Sequence, residues 1–139
     1  MDVVVLIGRI VFSSLFILSS FSHLMRTDAM AGYATARGVP WARWLTILSG
    51  VQILVGGLMV LLGVAGDVGA LLLLIFLVAT AVLIHHFWTD TDPMMRLTEL
   101  VQFQKDVALA GAAILTYALF AYAGHDLGLT LTGPLFHLR

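Results

Sequence analysis

Four runs of about twenty mostly apolar residues, separated by short polar segments, leave this chain few ways to fold. They lie at Val3 to Leu24, Ala42 to Val64, Val68 to Trp88 and Glu99 to Ala123. A helix needs about 20 apolar residues to cross a hydrocarbon core about 30 Å thick. Only helices and closed barrels satisfy every backbone group there. The third run is the purest, with Leu71 to Val78 free of charge. The fourth is the least apolar, because Glu99, Gln102, Gln104, Lys105 and Asp106 crowd its opening. Runs two and three show no polar stripe at helical period along most of their length, as a soluble bundle would. The fold class read from this pattern is all-α: a four-transmembrane-helix antiparallel bundle, in one membrane domain spanning 1–139.

Composition agrees with this reading. Charged residues make up 11% of the chain and apolar ones 60%, whereas a soluble domain carries about 25% charged residues. The net charge of −1 supplies no bulk basicity to attract nucleic acid. Cysteine is absent, which excludes a dithiol relay, a thiolate nucleophile and iron–sulfur ligation. The first run is too long for a signal-peptide core of about 7–15 residues, so it is read as a retained helix.

The connections follow from the spans. Met25 to Trp41 is read as a loop ending in the Gly38-Val39-Pro40 turn signal. Ala65-Gly66-Asp67 is a tight hairpin that makes helices two and three antiparallel neighbours. Thr89 to Thr98 is read as the third loop, and 124–139 as a short extramembrane tail. Trp41, Trp44, Phe87 and Trp88 fall at helix ends on one side, where an aromatic belt sits. Arg26, Arg37, Arg43, Arg96 and Lys105 accompany the first and third loops, against Arg9 and Arg139 on the opposite side. Five against two places both loops in the cytoplasm and both termini outside.

Charges within a span cost roughly 2.5–3.5 kcal/mol at its centre, so each needs a reason. Arg9 either snorkels to the interface or serves the interior. Gln52, mid-helix, suits an interhelical hydrogen bond. Lys105 and Gln102 share a helix face, whereas Lys105 and the adjacent Asp106 diverge by about 100°. On the topology above, His23, His85, His86, Glu99 and Lys105 gather at one membrane face. His23, His85, His86, Gln102 and Lys105 are therefore candidates for holding a polar head group such as that of a quinone. Arg9, Gln52, Glu99 and Asp106 are intramembrane polar residues of structural or functional use. Haem and metal are disfavoured, because no His–x₃–His or Glu–x₂–His spacing occurs and neighbouring histidines diverge. No nucleophile–base set, phosphate loop or dinucleotide fingerprint is present, and no catalytic residue is assigned. Gly56, Gly57 and Gly63, and Ala108, Gly111 and Ala112, would let helices approach closely, within the bundle or toward a partner.

Read in series, several stretches resemble the DoxX family of small four-helix bacterial membrane proteins. They are Gly8-Arg9-Ile10, Phe16-Ile17-Leu18-Ser19 and His23-Leu24 in helix one, then Tyr33 and Gly38-Val39-Pro40. Gly56-Gly57-Leu58 with Leu61-Leu62-Gly63, His85-His86-Phe87-Trp88 and Phe103 to Gly111 complete the set. The chain departs from the family pattern at Gln52, where Glu is frequent, and at Asp106, where Asn is. The lack of cysteine removes the redox branches with membrane-embedded cysteine pairs as models. The resemblance implies a multi-pass protein of the bacterial inner (plasma) membrane, linked to quinone-dependent oxidoreductase assemblies, oxidative-stress defence or accessory roles in larger complexes.

Three functions follow as expectations. The first is an accessory or structural subunit of a larger bioenergetic or redox membrane complex, partnered by lipid and by other membrane subunits through helix–helix contacts. The second is a quinone-interacting oxidoreductase subunit with its polar site at one interface. The third is a carrier of a small solute or lipid.

Overall fold

The computed structural model describes residues 1–136. Its helices are α1 (Asp2–Met25), α2 (Thr27–Ala36), α3 (Ala42–Leu62), α4 (Gly66–Leu83) and α5 (Pro93–Ala123), with short 3₁₀ turns at Phe87–Thr89 and Gly124–Asp126. Among the described residues, α1, α3, α4 and α5 are long and apolar enough to cross a membrane. The closest packing follows the chain, α1 on α3, α3 on α4 and α4 on α5, so the spans form an antiparallel bundle. Phe16, Ile53, Leu73, Leu77 and Phe120 fill its centre. Val4, Val11, Leu18, Val51, Val78 and Leu115 are among the large apolar side chains left facing outward. Water would not tolerate such a surface, and lipid does.

Three elements differ from the sequence reading. The first loop contains α2, whose four alanines favour helix. Its Ala31 and Ala34 pack against Ala42 and Ile84, so α2 lies across the ends of α3 and α4. The fourth helix starts six residues earlier than expected, at Pro93. Asp92 accepts a hydrogen bond from the Met95 backbone N–H at 2.8 Å, and Pro93 occupies the first helical position. That is the ordinary N-cap and first-turn pairing. The third span ends at Leu83, leaving His85 and His86 in the turn beyond it.

Helix ends inside a membrane carry carbonyls without intrahelical partners, and two arginines meet them. Arg9, 3% exposed, donates from Nε to Val60 O at 2.9 Å and from Nη2 to Leu61 O at 2.6 Å. Its Nη1 reaches Leu129 O at 2.8 Å, and Phe120 lies 5.7 Å from its guanidinium carbon. Arg9 does not snorkel; it caps the C-terminal end of α3. Arg37 does the same for α4, donating from Nε to Ile84 O at 2.7 Å. Both charges lie at the negative ends of helix dipoles.

The tail closes the Arg9 end. Leu131 and Thr132 bond backbone to backbone with Leu62 and Gly63. The Leu135 and Phe136 N–H groups donate to Asp67 Oδ2 at 2.9 and 2.7 Å. Gly63 takes φ +65, and a Cβ there would lie 2.6 Å from Thr130 and 2.8 Å from Arg9 Nη2, so glycine is required at this C-terminal turn. Arg139, counted in the orientation argument, lies outside the described residues.

Candidate functional site

Away from the tail, the bundle opens. Toward the turn, α3 and α4 touch at Gly56 and Gly69, and Gln52 donates to Leu72 O at 2.8 Å, the interhelical bond its position suggested. Beyond Gln52, α2 lies across the two helices and a cavity of about 370 Å³ remains between them. That volume is in the range of small-molecule sites. Its wall is mainly apolar. Leu45 and Leu48 of α3 and Ile75 and Leu83 of α4 line it and are also exposed at the bundle surface. The mouth therefore faces where lipid would be.

Gln52 and several hydroxyls, Ser49 among them, also reach the wall, and the titratable groups on it are few. His23 comes from α1, Tyr33 from α2, His85 from the turn after α4, and Lys105 and Asp106 from α5. Asp106 is 5% exposed, and its Oδ2 has no hydrogen-bond partner in the protein. His85 Nε2 lies 3.8 Å from it. On its other side His85 Nδ1 lies 2.7 Å from Glu99 Oε2. Tyr33 donates its hydroxyl to the remaining oxygen, Glu99 Oε1. A continuous row results, from Tyr33 through Glu99 and His85 to the carboxylate of Asp106. Burial, together with the hydrogen bond to Glu99 and its charge, pushes the Tyr33 phenol up to about 12. The hydroxyl therefore stays protonated throughout the physiological range.

The sequence candidates separate on this geometry. His23 and His85 line the cavity. His23 Nδ1 is 3.0 Å from Ser19 O, and its ring stands edge-on to Phe76 at 5.8 Å. His86 does not line the cavity. Its Nδ1 accepts from Arg37 Nη2 at 3.0 Å while its Nε2 lies 3.2 Å from Arg37 O, so it brackets an arginine. Arg37 also holds Asp90 at 2.7 Å. That hydrogen bond keeps the Asp90 carboxyl below the usual carboxylate range and raises the guanidinium. Gln102 is likewise off the wall, paired with Lys105. Lys105 has half its side chain exposed and forms the rim. Asp106, on the adjacent and diverging position, turns inward instead. Among the described residues, no three His, Asp or Glu side chains converge as a metal cage.

Sequence reasoning missed Tyr33 as a site residue, because it fell in a segment read as loop. The alanine spacing that makes α2 a helix was the available signal.

Apolar helices that cross the bilayer, one helix lying across their ends and a cavity open toward lipid define a small multi-pass integral membrane protein. The DoxX family model matches residues 4–86, and the chain belongs to that family. The matched segment stops before α5, so it does not reach Glu99 or Asp106. Inner membrane protein YphA of Escherichia coli K12 is similar to it, 29% identical over 113 residues that make up 81% of this chain and 80% of that protein. No solved structure matches the chain.

Proposed function

We propose that this chain binds a quinone-class molecule taken from the bilayer, as a subunit that presents the head group to a redox partner. One observation carries the reading: a buried carboxylate, Asp106, with one oxygen lacking a hydrogen-bond partner, inside a largely apolar cavity that opens among lipid-facing leucines. A buried polar atom left unpaired costs about 1–3 kcal/mol, and a ligand that bonds to it recovers that cost. The apolar wall suits a ring and its tail. Asp106, His85 and the Lys105 ammonium at the rim offer both acceptors and donors to ring oxygens.

An accessory role in a larger membrane complex is the second reading, and α5 supports it. Ala108 and Gly111 face outward, and a Cβ on Gly111 would meet nothing within 4 Å. Gly56 and Gly57, by contrast, are used up against Leu73 and Ile17 within the bundle. For the third reading, a carrier of a small solute or lipid, passage across the bilayer would need a path through the end closed by Arg9 and the tail.

The relative's name places that protein in an inner membrane, and the same membrane is proposed here. The five cationic residues near α2 and the α4–α5 turn support a cytoplasmic position for that face. Purification in mild detergent followed by native mass measurement and organic extraction tests these readings. A lipid-soluble ring compound lost in Asp106→Ala supports the first, and a co-purifying membrane subunit lost in Gly111→Leu supports the second. A bare chain with neither contradicts both.

A further inference from the structure

We infer that His85, Glu99 and Tyr33 form a proton path joining Asp106, inside the cavity, to the face of the bundle covered by α2. The inference deepens the cavity reading, on which it rests for the molecule that gives up or takes the proton.

Structure alone accounts for part of the row. Glu99 is buried, and two donors at its two oxygens satisfy it. They do not account for the far end. If His85 donates from Nδ1 to Glu99, its neutral form leaves a lone pair on Nε2. That nitrogen faces the one Asp106 oxygen without a partner, across 3.8 Å. The separation exceeds a direct hydrogen bond and is one that a single water or a small turn of the carboxyl spans. The row therefore has an open end at Asp106 and a satisfied one at Tyr33, which borders the cavity on the α2 side and is also 43% exposed at the surface.

The charged surroundings are fixed on every side. Lys105 lies 3.8 Å from Asp106 Oδ1. Beyond Glu99, Arg37 is held by Asp90 and His86. His23 stands on the α1 side of the cavity.

The transfer balances without electrons. A ligand hydroxyl gives its proton to Asp106, and Asp106 passes one to His85 Nε2. The Nδ1 proton of His85 goes to Glu99; the Tyr33 hydroxyl, which donates to Glu99 at rest, turns outward, accepts a proton from the reoriented Glu99 carboxyl and releases its own. The ligand is left as its conjugate base, and reversal of each step protonates it. Chains of Asp, Glu and His inside membranes serve such relays, and a carboxylate-oriented histidine is the usual shuttle.

Infrared spectroscopy of the full chain in lipid nanodiscs, without added ligand, tests the path separately from ligand binding. The carbonyl band removed by Asp106→Asn should appear as pH falls, and its deuterium exchange should be at least tenfold slower in His85→Gln and Glu99→Gln than in the unaltered chain. Tyr33→Phe should slow it as well, with the fold intact. Exchange at the unaltered rate in folded His85→Gln and Glu99→Gln, or the absence of any band owed to Asp106 across the pH range, overturns the inference.

Discussion

Arg9 is the residue whose role the structure changes most. In the sequence it is a lone cation six residues into an apolar helix, and its neighbours along the chain are silent about partners. Those partners are carbonyls of Val60, Leu61 and Leu129, brought to it only when α3 and the tail fold against α1. Arg9→Met should cost roughly 2–4 kcal/mol, because buried acceptors lose a charged donor. Arg9→Lys should recover little, since one ammonium cannot reproduce the planar fork. Thermal unfolding in detergent reads both. Tyr33 gives a prediction in pH. Its phenol titrates near 12 in the folded chain against 10.0 for a free tyrosine. A raised folded value means the linked stability is whole below pH 10 and is lost as pH rises toward 12. Glu99→Gln should move the phenolate midpoint only part of the way back, because burial is the larger cause. Asp90 works in the opposite sense: its lowered value makes the linked stability whole above the ordinary carboxylate range and lost as pH falls through the folded value. Asp90→Asn should flatten that acid limb of the unfolding profile. Lys105 and Asp106 show where sequence reading stops at this scale. Adjacent positions on a helix diverge, but which one turns inward depends on how α5 is rotated against α4, and that is set by packing.

At the scale of elements, the spans were legible because lipid demands long apolar runs. The shorter structures were not. α2 has the length of a loop and charged flanks, and its buried face is only Ala31 and Ala34. The two additional turns at the start of α5 were hidden by Pro93, which reads as a loop residue until Asp92 is recognised as its cap. Those turns matter, since they place Glu99 within a helix and beneath α2 rather than at a frayed opening. The glycines separate the internal helix contacts from the outer surface. A Cβ on Gly69 would lie 2.7 Å from Met59 Cβ and 2.9 Å from the Gly56 carbonyl oxygen. Gly69→Ala should therefore loosen the α3–α4 hairpin by about 1–3 kcal/mol. Gly111→Ala meets open space and removes a flexible residue from a helix, so it should be neutral or stabilising by up to about 1 kcal/mol. Unfolding midpoints of the two variants, compared side by side, check this contrast.

As a whole molecule, the bundle has unlike ends. One is sealed by Arg9, Asp67 and the returning tail; the other holds a cavity, partly walled by α2, with one carboxylate oxygen that lacks a hydrogen-bond partner. The four-helix architecture could be read from hydropathy, and the polar gathering at one face could be read from topology. The cavity itself could not, because it depends on how residues of all five helices pack around it. Its occupant is the central claim, and titration of the protein in nanodiscs with decylubiquinone and decylubiquinol, followed by native mass measurement, tests it most directly. Saturable binding of one molecule per chain is expected, weakened at least tenfold by Ser49→Phe, which fills the wall, while the unfolding midpoint holds. Binding that never saturates, or that Ser49→Phe leaves unchanged, would contradict it.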